Sequence, residues 1–254
     1  MPNKATDTVV GVLGRLGARP DVRGVALAGS WARGCAGPRS DVDLLVVTSG
    51  RVFRRAAEWV DGTEVQTMEG PPAWFRKAFG ERRVGSVQRM MAESVVLWDP
   101  DGLVAELRAE AATDVARGPD PADATTIRRA RFRVTEALDD LLDAVSLLQP
   151  DVGAVGLLRA ELVGQLLEAF WVARRHWPEK TKYAIQTVRL ADPATAASLE
   201  RLATAHCDGG PGGGEPQALM SAAVDAAEAV LAGFGGLLRE SWSLAPENVL
   251  DAGT

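Results

Sequence analysis

A chain of 254 residues, 46% hydrophobic and 24% charged, has the length and composition of one large or two modest globular domains. Its net charge of −6 and its lack of a basic stripe argue against tracking a nucleic-acid backbone, so no nucleic-acid partner is expected. Two cysteines, Cys35 and Cys207, with no Cys-x-x-Cys or Cys/His cluster, point to neither a disulfide framework nor a zinc site.

The first residues lack the basic-then-apolar pattern of a signal peptide, and no apolar run approaches about 18 residues. The expectation is a cytoplasmic protein with no membrane partner. In chain order, Val9, Val10, Leu13 and Leu16 line one face of a helix over Thr6 to Leu16, stopped by Gly17 to Pro20. A buried strand is expected at Val25 to Ala28, a turn at Gly29-Ser30, and a second strand at Val42 to Val47, ended by Ser49-Gly50. Val52, Phe53, Ala56, Ala57 and Val60 recur at helical spacing, which predicts a helix there. Asp61-Gly62 is a turn signal, and Thr63 to Met68 alternates as a strand with Glu64, Gln66 and Met68 on one face. Pro71-Pro72 opens a helix bearing Trp74, Phe75 and Phe79, beside the cations Arg76, Lys77, Arg82 and Arg83. A strand at Ser94 to Trp98, a turn at Asp99 to Gly102 and a helix at Leu103 to Ala116 follow.

Gly118-Pro119-Asp120-Pro121 reads as a linker, and beyond it only helical periodicity is found. The predicted architecture is therefore α+β over residues 1–118, a small mixed sheet flanked by helices, followed by an all-α bundle over 119–254. Ile127 to Leu148 forms a long amphipathic helix. Leu157 to Val172 is apolar almost all round, which implies burial, apart from a stripe of Glu161, Gln165 and Glu168. The glycine-rich stretch from Cys207 to Pro216 reads as a loop, and Ala218 to Leu238 as a last, Ala-rich helix. Residues 119–254 hold 12 Lys+Arg against 19 Asp+Glu, a balance that suits a cationic small substrate.

The chemistry concentrates between residues 24 and 47. Alternate residues of a strand share a face, so Asp41 and Asp43 project together while Val42 points into the core. Paired carboxylates repel unless a positive charge lies between them, and a hard cation such as Mg2+ takes carboxylate oxygens together with phosphates. Gly29 permits close backbone approach, Ser30 adds a hydroxyl, and Arg33 one turn on is a fork for phosphate. Within the predicted buried helix, Glu161 or Glu168 is a candidate general base for a substrate hydroxyl.

Gly29-Ser30-x-Ala32-Arg33-Gly34, then Ser40-Asp41-x-Asp43-Leu44, resembles the signature of the DNA polymerase β-like nucleotidyltransferase superfamily, in particular its minimal and antibiotic-modifying branches. The resemblance implies that a nucleoside triphosphate, ATP by expectation, lies over Gly29, Ser30 and Arg33, with Asp41 and Asp43 holding Mg2+. It also implies a third carboxylate on the next paired strand, Glu64 or the position of Gln66, completing a site for two ions. The junction after Trp177-Pro178 resembles the helical domain of small-molecule nucleotidyltransferases, in which a lysine reaches the phosphates; Lys180 or Lys182 would fill that role. The expected reaction is transfer of a nucleoside monophosphate to a hydroxyl of a small, possibly cationic acceptor, aminoglycoside-like or lincosamide-like, bound between the two domains with Trp171 and Trp177 against it. The enzyme is expected as a monomer or homodimer. The alternatives are a protein-AMPylating module of the MNT–HEPN antitoxin type and a nucleotide-binding relic; Arg201 and His206 match the ribonuclease motif of HEPN toxins only loosely.

Overall fold

The computed structural model describes residues 4–80, 86–205 and 216–239. The chain divides into two compact units, Met1–Pro119 and Asp120–Thr254. The first is α+β and the second is helical, the predicted fold class.

In the first unit, α1 (Lys4–Gly17) leads into β1 (Val22–Ala28), and a single helical turn, α2 (Gly29–Ala32), separates it from β2 (Val42–Thr48). A hairpin of β3 (Arg54–Val60) and β4 (Thr63–Gly70) follows. The unit closes with α3 (Pro72–Gly80), α4 (Ser86–Ala92), β5 (Val95–Trp98) and α5 (Leu103–Arg117). The five strands lie in the order β3-β4-β2-β1-β5, with β2 and β4 parallel and the other pairs antiparallel.

Alternation along β2 divides the sheet into two faces. Val42, Leu44 and Val46 join Val25 and Val65 beneath Val12 and Leu16 of α1. Leu45 and Val47 join Ala26 and Ala28 under Phe75 and Phe79 of α3, Met91 of α4 and Leu107 of α5. Asp41 and Asp43 share the parity of this second set and stand at its open end.

The helix predicted around 52–60 is instead strand β3. Asp61 and Gly62 take φ of 50° and 79°, the left-handed pair of a two-residue hairpin turn, and Val60 pairs with Thr63 across it. Val52, Phe53, Ala56, Ala57 and Val60 satisfy helical spacing only by chance of composition; nearly every residue of β3 is exposed, so no apolar helix face was needed. The hairpin is a local contact that outweighs helix propensity in so short a segment.

The second unit contains α6 (Ala124–Ser146), α7 (Val152–Arg174), α8 (Thr181–Ala191), α9 (Pro193–Thr204) and α10 (Pro216–Leu231). Aspartates cap three of them: Asp123 accepts from Thr126 N at 2.7 Å, Asp151 from Gly153 N at 2.8 Å, and Asp192 from Thr195 N at 3.1 Å. Their shared core includes Leu138, Leu141, Leu162, Leu166, Phe170, Leu199 and Leu202. Contrary to the sequence reading, α7 is not buried all round: Leu157 is 75% exposed and Glu161 and Glu168 face solvent. Trp171 and Trp177 are core residues.

The last helix ends earlier than its composition predicts. It stops at Leu231 and passes through a 3-10 turn to Gly235 and Gly236, both at positive φ, where Arg131 binds the carbonyls of Gly235, Gly236 and Leu237. Pro216–Phe234 is also the one helix among the described residues with the length and mean hydropathy (1.2) of a membrane span. It carries Asp225 and Glu228, and Leu219, Ala223, Ala226, Ala227 and Leu231 pack into the helical core.

Candidate active site

Asp43 sits on β2 opposite Ala28 of β1 on one side and Gln66 of β4 on the other. The chain leaves β1 at Gly29, where φ is 65°. A Cβ at Gly29 would lie 2.1 Å from Asp43 Oδ2, so glycine is required both by backbone conformation and by the carboxylate against it. Ser30 is buried, and the N-cap of α2 is Ala28, which makes no side-chain cap. Asp43 is 7% exposed, a deep position for a carboxylate, while Asp41 is half-buried.

Arg33 lies at the end of α2 and pairs with Glu93 Oε2 at 3.7 Å; Glu93 is shared with Arg89 at 3.3 Å. The guanidinium expected at phosphate is thus also tied to the end of α4. Arg82 and Arg83 lie outside the described residues, while Arg76 is engaged by Glu106 and Glu110, as a structural pair would be.

On β4, Glu64 and Gln66 face the same side as Asp41 and Asp43, as their alternation predicts. The carboxamide of Gln66 is the centre of the group. Its Nε2 donates to Asp41 Oδ2 at 2.9 Å and to Glu64 Oε1 at 3.2 Å, and its Oε1 accepts from Arg55 at 2.8 Å. By register Gln66, not Glu64, is the residue beside Asp43. Among the described residues, no three His, Cys, Asp or Glu side chains are grouped so as to hold one metal ion.

The hairpin contributes residues that the sequence reading passed over. Arg55, Ala57 and Trp59 of β3 stand on the carboxylate face, and Trp59 is the register partner of Glu64. Its indole is 73% exposed. The signal that could have found them is Asp61-Gly62, flanked by two segments that each alternate.

Behind the sheet, on the α1 side, is a separate cavity of about 310 Å3 lined in part by Arg15, Arg19, Arg54, Thr67 and Glu69. Glu69 is buried and accepts from Arg19 and Arg54, each at 3.0 Å. Arg19 also donates to Asp21 at 2.8 Å; that bond holds the Asp21 carboxyl below the usual carboxylate range and, with the bond to Glu69 adding to it, holds the Arg19 guanidinium above its ordinary value. These groups are mutually satisfied and turn away from Asp41 and Asp43.

The remaining expected site residues belong to the helical unit. Glu161, Lys180 and Lys182 are all exposed; Lys182 Nζ lies 5.0 Å from the Tyr183 ring centroid. The case for Glu161 as a general base rests on a buried helix, and its exposure removes that reason. His206 of the Arg201–His206 pair, like Cys207 and the glycine-rich stretch, lies outside the described residues.

Residues 10–89 match the family model of the nucleotidyltransferase domain, a match that supports nucleotidyl transfer as the general chemistry. Comparison with curated proteins returns no match. Among solved structures, the chain is similar to a nucleotidyltransferase-like protein from Exiguobacterium sibiricum 255-15, at 13% identity and a TM-score of 0.47 over 89% of this chain and 74% of that one.

Proposed function

We propose that the protein transfers a nucleoside monophosphate, AMP from ATP, to a hydroxyl of a small cationic molecule of the aminoglycoside or lincosamide kind. The observation that carries this reading is the Asp41–Asp43 pair against the Gly29-Ser30 turn, within a matched nucleotidyltransferase domain. Triphosphate oxygens accept from the N–H groups of α2 and from the Ser30 hydroxyl, with Arg33 beside them. Two carboxylates on one face, one of them buried, form a donor set of hard oxygens that fits a divalent cation. When bound, that cation, Mg2+ in this reading, would offset the charge of the phosphates.

In this reading donor and acceptor take opposite ends of the carboxylate face. The phosphate side lies toward β1 and the acceptor side over β4 and β3, where Glu64 is half-buried and the Trp59 indole is open. The acceptor oxygen attacks the α-phosphorus, the bond to the bridging oxygen breaks, and pyrophosphate leaves with the bond pair. The hydroxyl proton passes to Glu64. Catalysis on this plan is mainly positioning and charge stabilisation.

A second reading, nucleotide binding without transfer, is favoured by one observation: an amide, Gln66, occupies the register position beside Asp43. One experiment separates the two. Pyrophosphate release is followed from each of the four NTPs with Mg2+, with and without aminoglycosides and lincosamides, against an Asp41→Asn/Asp43→Asn blank. Acceptor-dependent release that the blank lacks supports transfer. Absence of release with every acceptor, while ATP–Mg2+ still raises the Tm, supports binding alone.

A further inference from the structure

We infer that this site takes one divalent cation and that the Gln66 carboxamide stands where a second would bind; the inference rests on the nucleotidyltransferase reading above. It departs from the expectation of a two-ion site. A second cation would need lone pairs from Asp41 and from the β4 carboxylate at about 2.0–2.1 Å. Gln66 Nε2 already lies between these oxygens, 2.9 Å from Asp41 Oδ2 and 3.2 Å from Glu64 Oε1. An amide nitrogen carries two N–H donors and offers a metal no lone pair. It therefore does part of what a cation would do there, placing positive charge density between two carboxylates that otherwise repel.

The orientation of the amide is fixed by its neighbours. Gln66 Oε1 accepts from the Arg55 guanidinium at 2.8 Å. Turning the amide over would set its NH2 against that guanidinium and its carbonyl oxygen against both carboxylates, three mismatches in place of three hydrogen bonds. Arg55 is thus a positioning residue: it holds the carbonyl end, so the donor end faces Asp41 and Glu64. Asp41 and Asp43 are the oxygen pair for the single ion in this inference.

The test counts ions. The full chain is saturated with α,β-methylene-ATP, Mn2+ is titrated in, and free Mn2+ is read by electron paramagnetic resonance against a nucleotide-only blank. The expected result is one bound Mn2+ per chain in the wild type, lost in Asp41→Asn/Asp43→Asn, and two in Gln66→Glu. Two bound ions in the wild type, or still one in a folded Gln66→Glu, overturns the inference while the transfer reading stands. No bound ion in the wild type overturns both. The wild-type count decides the matter even where Gln66→Glu fails to fold.

Discussion

Gly29 is held by two constraints that act on the same atom position. Its φ of 65° disfavours any side chain, and the first carbon of one would meet Asp43 Oδ2. Gly29→Ala is expected to lower stability by roughly 1–3 kcal/mol from the backbone alone, read as a fall in the urea midpoint, and to displace the Asp43 carboxylate as well. Asp43→Asn keeps shape and hydrogen-bonding size while removing charge. It is expected to reduce transfer by about a hundredfold or more with little change in Tm; a folded variant with full rate would remove Asp43 from the chemistry. These residues were legible in advance because Gly-Ser and Asp-x-Asp are short, local patterns whose geometry follows from strand alternation. Arg55 was not, because its role depends on Gln66, eleven residues away, and on a hairpin that pairs them. Nor could alternation separate Glu64 from Gln66, since both share a face; only the register of β2 against β4 places Gln66 beside Asp43.

At the scale of elements, the β3–β4 hairpin carries an exposed indole to the carboxylate face. Trp59→Ala is expected to raise the acceptor KM about fivefold, the loss of about 1 kcal/mol of ring contact, and to leave the NTP KM unchanged. An equal effect on both would mean that the ring serves the hairpin rather than the acceptor. The cap of α9 sets a pH dependence. The backbone N–H of Thr195 is the chief cause holding the Asp192 carboxyl below its ordinary value, with the Thr195 hydroxyl and Arg174 adding to it against desolvation. A carboxyl lowered by folding stabilises the folded state above its unfolded pKa, and that stability is lost as pH falls through the lowered value. Asp192→Ala is therefore expected to cost about 1 kcal/mol near pH 7, and the gap in Tm from wild type should narrow as the pH falls below about 4, the ordinary carboxylate value. A gap that is constant with pH would show that the charge plays no part. The strand at 54–60 was not readable from sequence, because six of its seven residues are exposed and no buried face sets an alternation to read.

Across the whole molecule, the apolar cores are partitioned by unit. The two clusters around the sheet draw their buried residues from Val12 to Ala111, and the helical cluster draws its own from Val134 to Leu231. A fragment spanning 120–254 is expected to fold alone, with a helical circular-dichroism spectrum and a cooperative thermal transition. A spectrum without that transition would show that its core is incomplete. The boundary was visible in Gly118-Pro119-Asp120-Pro121, where apolar periodicity changes from mixed to purely helical.

The outermost strand has one more consequence. β3 ends the sheet, and an end strand offers its unpaired N–H and C=O groups to any extended segment of another chain. Three charged side chains guard that border: Arg54, Arg55 and Glu58, drawn back to Glu69, Gln66 and Arg15. Removing Arg55 therefore acts twice, since it unclamps an amide inside the site and opens the border to self-association. The chemical effect of such a variant is read only from a sample that sedimentation shows to be monodisperse.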